Sequence, residues 1–234
     1  MSVRGKVALI VGASGAIGSA IAEEFAREGA AVVLGARSGK LSGLIAKIEA
    51  LGARYTNAEI DVTDALQVHK IINTLDSEFG PITILVNAAG MYGPIGPVEG
   101  NDPAAWMHAA ETNIVGAFNL VHAVVPLMLK NGRGRIIHFS GGGGAYGRPF
   151  FSSYSACKAA IVRFTESIAL ELKNRNIYVN AIAPGPVKSA LWEELRAAGE
   201  SAGVDAGNEL HEMDSTGGIP AARAAARTST TSRS

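Results

Sequence analysis

The sequence predicts an α/β fold in which helices cover both faces of a parallel sheet, and three observations support this. Short continuous apolar runs, at Val7–Val11 and at residues 82–86, are typical of strands buried on both faces. Segments with helical spacing of apolar residues alternate with such runs along most of the chain. Small or polar residues follow the strands, at the carboxyl ends where open parallel sheets bind ligands. We therefore expect a single doubly wound sheet of the Rossmann type.

The expected elements follow one another in regular alternation. Six strands are expected, at Val7–Val11 and at about 30–34, 54–60, 82–86, 134–139 and 177–182. Helices are expected at about 17–28, 41–51, 64–79, 104–130 and 153–174. Thr63 or Asp64 can cap the third helix, and Pro126 permits a kink in the fourth.

Composition argues against several classes of function. The 234 residues carry 21 Lys+Arg and 21 Asp+Glu, and no basic run indicates nucleic acid or an anionic membrane as a partner. The one cysteine, Cys157, permits no internal disulfide and favours a reducing compartment such as the cytoplasm. We recognise no signal peptide and no apolar stretch that approaches 18 residues. His108, His122 and His138 lack metal-ligand spacing, so no metal site is expected.

A glycine loop at residues 12–18 stands between the first strand and the first helix. Glycines let the backbone turn tightly and approach a pyrophosphate closely. The helix that follows offers free N–H groups and the positive end of its dipole to the phosphates. This order of strand, loop and helix predicts a dinucleotide site, although a glycine-rich turn without a ligand is the simpler alternative.

The residues that end the second strand indicate which dinucleotide binds. An acidic residue about 20 positions beyond the glycines suits the ribose of NAD, whereas an arginine suits the 2′-phosphate of NADP. Ala36 and Arg37 occupy this place, with Lys40 nearby and no acid. NADP is therefore the preferred cofactor and NAD a possible one. The alternative is that Arg37 is only a solvated loop charge.

Tyr154 and Lys158 lie four positions apart on an expected helix, so they share one face about one turn apart. A nearby ammonium stabilises a phenolate and lowers the pKa of the phenol from its ordinary value near 10. Such a pair can exchange a proton with an alcohol or a ketone near neutral pH. Taken alone, the spacing also arises by chance on amphipathic helices.

Six motifs stand in a fixed order along the chain. They are Gly12 and Gly18 after the first strand, Asp61-Val62 after the third, Asn87-Ala88-Ala89-Gly90 after the fourth, Asn113 within the long helix, Tyr154 with Lys158, and Pro184-Gly185-Pro186-Val187 after the sixth strand. In this order the chain resembles the short-chain dehydrogenases/reductases over about residues 5–190.

The resemblance implies a catalytic set and a cofactor-binding set. Tyr154 would be the acid/base, Lys158 would lower its pKa and hold the nicotinamide ribose, and Asn113 would support Lys158 through a water. The cofactor would lie against Gly12, Ser14, Ile17, Gly18, Arg37, Asp61, Val62, Asn87, Ala88, Gly90, Tyr154, Lys158, Pro184, Gly185, Val187 and Ser189.

The glycine loop and the catalytic serine depart from the family pattern. Val11 and Ala16 replace a usual threonine and a usual glycine, and the methyl group of Ala16 can weaken cofactor binding. Gly141 stands thirteen residues before Tyr154, where the family has a serine that polarises the substrate oxygen.

Two alternatives follow for this missing hydroxyl. Either Ser140, one residue earlier in the Ser-Gly-Gly-Gly loop, takes over the role, which we favour, or the donor is absent. Ser152 and Ser153 are weaker substitutes and are expected to cap the helix that carries Tyr154.

The C-terminal segment is also atypical, because the family normally adds a seventh strand and a helix there. Residues 196–234 are mostly Ala, Gly, Ser, Thr and Arg, and no seventh strand is expected. Short lid helices are possible at 191–198 and 209–213. We expect a catalytic domain over residues 1–195, and over 196–234 a substrate-lid remnant with a poorly ordered tail.

These residues together predict an oxidoreductase that moves hydride between NADP(H) and a small-molecule ketone or secondary alcohol. The alternative is a catalytically weak or inactive dinucleotide-binding paralogue that acts as a redox sensor, which Gly141 favours. An epimerase or dehydratase is less favoured, because there is no second substrate domain. The resemblance also suggests a homodimer joined through the helices at 104–131 and 153–174, whereas a tetramer is in doubt without a seventh strand.

Overall fold

Six parallel strands form one sheet in the computed structural model, which describes residues 2–37, 41–185 and 187–216. They are β1 (Val7–Val11), β2 (Ala31–Ala36), β3 (Tyr55–Glu59), β4 (Ile82–Asn87), β5 (Gly134–Phe139) and β6 (Ile177–Ile182). Their order is β3-β2-β1-β4-β5-β6, so the winding reverses between β1 and β4. The expected doubly wound sheet is confirmed, and the described residues contain no seventh strand. The switch between β1 and β4 creates the crevice where such sheets bind nucleotides.

The two central strands are buried along their whole length, which explains their continuous apolar sequence. The side chains of successive β1 residues lie on opposite faces of the sheet, because side chains alternate along a strand. Leu9 packs in one core cluster with Leu120, and Ile10 packs in the other with Phe25.

Helices cover both faces of the sheet. In the described part of the chain they are α1 (Ala16–Arg27), α2 (Ser42–Ala50), α3 (Ala65–Glu78), α4 (Pro103–Ala110), α5 (Gly116–Lys130), α6 (Ser152–Leu172), α7 (Ala190–Ala198) and α8 (Gly203–Thr216). Of the two expected caps for α3, Asp64 is the one used, since its side chain accepts a hydrogen bond from the Gln67 backbone N–H. Pro126 lies inside α5.

The expectation that Ser152 or Ser153 caps α6 is wrong. Phe151 occupies the cap position, and no side chain forms a capping hydrogen bond there. The Ser152 hydroxyl instead accepts a hydrogen bond from Trp106 Nε1 at 3.2 Å. This bond ties the start of α6 to α4, so the hydroxyl serves tertiary packing rather than the helix end.

The long fourth helix predicted from the sequence is divided. A π-helical turn, Glu111–Val115, separates α4 from α5 and contains Asn113. A π turn adds one residue to a helical turn and is frequent at functional sites. The stretch Pro103–Lys130 as a whole has the length and apolar composition of a membrane span, although no such stretch is recognised in the sequence. Of its most apolar window, 56% is buried inside the fold, as in a core helix.

The last two described helices cover the carboxyl edge of the sheet. They pack through Trp192, Leu195 and Met213 against Tyr92 and Phe151 in a third apolar cluster. α8 is longer than the segment 209–213 expected from the sequence, and α7 crosses the expected domain boundary at residue 195. The tail from residue 217 lies outside the described residues.

Candidate active site

The glycine loop after β1 packs tightly against the turn after β4. Gly12 has a φ of +84°, and a Cβ there would lie 2.6 Å from the backbone carbon of Ala88. A Cβ on Gly18 would lie 2.2 Å from the carbonyl oxygen of Gly12. Both positions therefore exclude a side chain, and the backbone of the loop stays accessible at the crevice.

A cleft of about 390 Å³ opens along this loop. Among the expected cofactor residues it is lined by Gly12, Ser14, Ile17, Gly18, Arg37, Val62, Ala88, Gly90 and Ser189. α1 begins at Ala16, and no side chain caps it. Its first N–H groups are thus free to bind phosphate oxygens, and the residues present fit a dinucleotide. Ala16 also lines the cleft, so its extra methyl group faces the same space.

The ends of β2 and β3 differ in charge. Arg37 follows β2 and lines the cleft, and Lys40 lies outside the described residues. Asp61 follows β3, and its carboxylate accepts hydrogen bonds from the Thr63 hydroxyl at 2.7 Å and the Thr63 backbone N–H at 3.0 Å. These bonds lower the pKa of Asp61, and the charge of Arg37 adds to the effect. The side chain of Asp61 is therefore fixed as a carboxylate.

Tyr154 and Lys158 meet at the carboxyl end of the sheet. The Lys158 Nζ lies 5.4 Å from the centroid of the Tyr154 ring and donates a hydrogen bond to the carbonyl oxygen of Phe139 at 2.9 Å. Phe139 ends β5, so this bond anchors the lysine to the sheet. The spacing of four residues on α6 therefore produces the side-by-side pair that the sequence predicts.

Burial moves the pKa of both groups toward the neutral form. It lowers the pKa of Lys158 from 10.5 to about 8. It raises the pKa of Tyr154 above the ordinary value of a phenol, and Tyr92 raises it further. The lowering of the Tyr154 pKa expected from the sequence is thus not found in this structure. Arg148, rather than Lys158, is the positive charge that opposes the rise.

Asn113 fixes the loop beside Lys158. Its amide Nδ2 donates hydrogen bonds to the carbonyl oxygens of Met91 at 2.9 Å and Ala109 at 2.8 Å, and its Oδ1 accepts one from the Met91 N–H at 3.3 Å. A Cβ on Gly90 would lie 2.9 Å from Asn113 Oδ1 and 3.4 Å from Lys158 Nζ. Asn113 and Lys158 therefore flank the same glycine, which has no side chain to separate them.

Asn87 lies at the end of β4 and is nearly buried. Its Oδ1 accepts a hydrogen bond from the Ala89 N–H at 3.2 Å, and its Nδ2 lies 3.5 Å from His138 Nδ1. Burial lowers the pKa of His138 to about 4, and the charge of Lys158 contributes to this lowering. His138 is therefore neutral at physiological pH and holds the Asn87 amide.

The position next to the Tyr154 hydroxyl is Gly141. It has a φ of +73°, and a Cβ there would lie 2.9 Å from the Tyr154 hydroxyl oxygen. Ser140 is buried, and a Cβ on Gly144 would lie 3.2 Å from the Ser140 Cβ. Ser140 is not among the residues that line the cavity reached by Tyr154.

A second cavity, of about 540 Å³, lies between Tyr154 and the helices α7 and α8. Pro184, Gly185 and Val187, expected at the nicotinamide, line it. Ile17 and Ser189 line both this cavity and the dinucleotide cleft. The two spaces therefore adjoin, and a cofactor in one can reach a substrate in the other.

The sequence did not reveal three residues of this cavity. The Tyr92 ring lies edge-on to the Tyr154 ring, with the centroids 4.7 Å apart. Arg148 forms an ion pair with Glu209 and stacks over the Phe151 ring at 4.2 Å. These residues come from the loop segments 91–103 and 141–153 and from the C-terminal helix, where no periodic pattern marks them. In the described ranges, no group of His, Cys, Asp and Glu side chains could hold a metal ion.

The sequence profile of the short chain dehydrogenases matches residues 6–200. The 3-oxoacyl-(acyl-carrier-protein) reductase FabG of Thermotoga maritima is 36% identical over 196 residues, which cover 83% of this chain and 79% of that protein. Galactitol 2-dehydrogenase of Agrobacterium fabrum is 35% identical over 198 residues, which cover 84% and 76%.

Solved structures agree with these sequence relatives. A single-residue variant of actinorhodin polyketide ketoreductase with NADPH superposes with a TM-score of 0.87 at 27% identity, covering 96% of this chain and 88% of that one. NAD+-bound xylitol dehydrogenase gives a TM-score of 0.82 at 31% identity, covering 86% and 78%. One of these proteins binds NADPH and the other NAD+, so the likeness supports a nicotinamide cofactor without choosing between the two.

Proposed function

The chain belongs to the short-chain dehydrogenase/reductase family, and we propose on that basis that it transfers hydride between NADP(H) and a ketone or secondary alcohol. It is an NAD(P)-dependent oxidoreductase of CH–OH and carbonyl groups, the class of its relatives. The observation that carries the proposal is the position of Tyr154 in the lining of the second cavity, with Lys158 behind it and next to Gly90 of the dinucleotide cleft.

Each residue has a separate task in the proposed reduction. The bound dinucleotide supplies the hydride. The Tyr154 hydroxyl donates its proton to the carbonyl oxygen, and Lys158 together with Arg148 would offset the charge left on the phenolate. The Asn113 bonds to Met91 hold the loop beside Lys158, and a water on Asn113 would complete the path for protons.

Ser140 remains the proposed donor from the serine loop. In this role its hydroxyl would polarise the substrate oxygen beside Tyr154, in place of the serine that Gly141 replaces. Ser140 is buried and does not line the cavity that Tyr154 reaches, so this contact would need a movement of the Ser-Gly-Gly-Gly loop. An unchanged rate for Ser140→Ala would remove it from the catalytic set.

The choice of NADP rests on Arg37. It lines the cleft at the end of β2, where no acid stands to bind a ribose 2′-hydroxyl. Dissociation constants for NADPH and NADH test this choice, and Arg37→Asp should reverse the preference. Tighter binding of NADH than NADPH to the wild type would exclude NADP as the preferred cofactor.

A redox sensor without catalysis is the second candidate, because Gly141 places no hydroxyl beside Tyr154. NADPH oxidation with a panel of ketones separates the two functions. Turnover of any ketone supports the reductase, whereas tight NADPH binding without turnover on every ketone supports the sensor.

We also propose a homodimer in the cytoplasm, joined through α5 and α6. A groove of about 250 Å³ lies between these helices and is lined by apolar side chains, including Val121, Val125, Phe164 and Ile168. Phe118 also lines the groove and is 51% exposed, so the apolar surface continues from the groove to the outside of α5. A second copy that presents the same face would cover this surface.

A further inference from the structure

Few of the described residues that line the second cavity carry a hydroxyl group that could bind a substrate oxygen. Among the described residues that line it, Tyr92, Tyr146, Tyr154 and Ser189 carry one. Tyr146 is 69% exposed, and Ser189 precedes α7 at the cofactor side. Tyr92 is buried and has its ring against that of Tyr154. It is therefore the hydroxyl-bearing residue most firmly positioned beside the acid/base.

We propose that the Tyr92 hydroxyl is a second hydrogen-bond donor to the substrate carbonyl oxygen, opposite Tyr154. This inference rests on the proposed reductase function. Gly141 has no side chain for this role, and Ser140, the donor proposed from the serine loop, does not line the second cavity. Two donors on one oxygen stabilise the negative charge that develops as hydride arrives.

The aromatic neighbours of Tyr92 fix its ring. The Tyr92 ring lies edge-on to Phe151, with the centroids 5.4 Å apart, and edge-on to Tyr154 at 4.7 Å. Phe151 is itself 1% exposed and belongs to the third apolar cluster, so it holds one side of the Tyr92 ring in place. A donor that is held before the substrate arrives needs no reorganisation during the reaction.

Arg148 keeps the Tyr92 proton available. The charge of the guanidinium opposes the rise in the Tyr92 pKa that burial causes. Arginine has five donors and no acceptor, so it cannot take the Tyr92 proton, which stays free for a ligand in the cavity. The ion pair with Glu209 and the stack on Phe151 hold Arg148 in place.

The test removes single tyrosine hydroxyl groups, one inside the cavity and one outside it. Tyr92→Phe keeps the ring and its packing, and we expect kcat and kcat/KM to fall together by about 100-fold, as for loss of one donor to a developing oxyanion. Tyr178→Phe on β6 is the matched control, since it removes a hydroxyl from a 45% exposed tyrosine that lines neither cavity, and it should stay within about twofold of the wild type. The NADPH dissociation constant and Tm should not change in either variant.

Two results would overturn the inference. The first is a wild-type rate for Tyr92→Phe, whatever the effect of Ser140→Ala. The second is an NADPH affinity that falls by the same factor as kcat, which would assign Tyr92 a packing role.

Failure of the proposed reductase function has a different signature, because the wild type would then reduce no ketone. In that case the measured quantity is the affinity for cyclohexanone of the enzyme saturated with NADP+. Tryptophan fluorescence monitors this binding. Tyr92→Phe should bind this ketone about fivefold more weakly than the wild type. Equal binding by the two proteins, or no binding by either, would contradict the inference.

Discussion

At the scale of single residues, the active site contains one buried base, Lys158, and a second, His138, lies behind it. His138 is 1% exposed and Lys158 is 7% exposed, and burial disfavours the charged form of both. The Phe139 carbonyl accepts from Lys158, and Asn87 faces His138. These contacts keep the end of β5 fixed while the protonation of Lys158 remains adjustable near neutral pH.

The pKa of His138 predicts an acid-sensitive fold. Its folded value of about 4 lies below the ordinary value of 6.5, so the unfolded chain binds the proton first as the pH falls. The stability that this residue contributes is complete above pH 6.5 and is lost progressively down to pH 4. Between pH 7 and pH 5 the free energy of unfolding should fall by about 2 kcal/mol through His138 alone.

Urea unfolding at pH 7 and pH 5 measures this loss for the wild type and for His138→Gln, which should show a shallower dependence. His69→Gln removes an exposed histidine and is the control that should keep the wild-type dependence. If the free energy of unfolding falls by the same amount between pH 7 and pH 5 in the wild type and in His138→Gln, His138 is not the acid-sensitive group.

The close packing around Gly18 predicts that the glycine loop has no room for a side chain at this position. A Cβ at this position would lie 2.2 Å from the Gly12 carbonyl oxygen, so the backbone must move to admit Gly18→Ala. NADPH affinity, measured by fluorescence titration, should fall at least about tenfold, and stability by about 1–3 kcal/mol. Gly43→Ala is the matched control on α2, where a Cβ meets nothing within 4 Å. Unchanged NADPH affinity in Gly18→Ala would show that the loop does not hold the cofactor.

At the scale of elements, the π turn Glu111–Val115 and the helix α6 together build the catalytic side of the crevice. The turn presents Asn113 to the loop after β4, and α6 presents Tyr154 to the second cavity with Lys158 beside it. The Ser152 hydroxyl joins α6 to α4 through Trp106.

Asn113→Ala should cost both stability and rate. It removes two hydrogen bonds to the half-buried backbone of Met91 and a buried one to the Ala109 carbonyl, so we expect a loss of about 2–4 kcal/mol in the free energy of unfolding. Asn73→Ala on α3 is the control, because its exposed amide bonds to the His69 carbonyl of its own helix. Urea unfolding compares the two, and a similar loss in both would remove the special role of the π turn.

The parts of the site that could be predicted are those carried by periodic elements. β1 and β6 have the bounds expected from the sequence, because buried strands require continuous or alternating apolar residues. The position of Tyr154 beside Lys158 follows from helical spacing. The pair of Arg148 and Glu209 joins residues 61 positions apart, in segments with no periodicity, so only tertiary packing reveals it. The π turn and the use of Ser152 depend on packing in the same way.

At the scale of the whole molecule, the sheet brings two adjoining spaces to its carboxyl edge. The dinucleotide cleft is lined by residues that follow β1, β2 and β4 and by Ala190, Leu191 and Glu194 of α7, whereas the second cavity is closed by α7 and α8. Substrate selection can therefore change through α8, which lines only the second cavity, without altering the dinucleotide site.

The proposed dimer predicts that one charged substitution separates the subunits. Phe118→Glu places a carboxylate on the apolar face of α5 and should shift the protein from dimer to monomer in analytical ultracentrifugation. Leu66→Glu, on the 86% exposed Leu66 of α3, is the control that should remain dimeric. A wild type that sediments as a monomer at micromolar concentration would contradict this assembly.

The central claim is that Tyr154 donates the proton during hydride transfer from a bound nicotinamide. The most direct test is NADPH oxidation with a panel of ketones by the wild type, Tyr154→Phe and the remote control Tyr178→Phe. We predict turnover by the wild type and Tyr178→Phe, and a loss of about 10²–10⁴-fold in Tyr154→Phe with unchanged NADPH affinity. Equal turnover by Tyr154→Phe and the wild type would contradict the assignment.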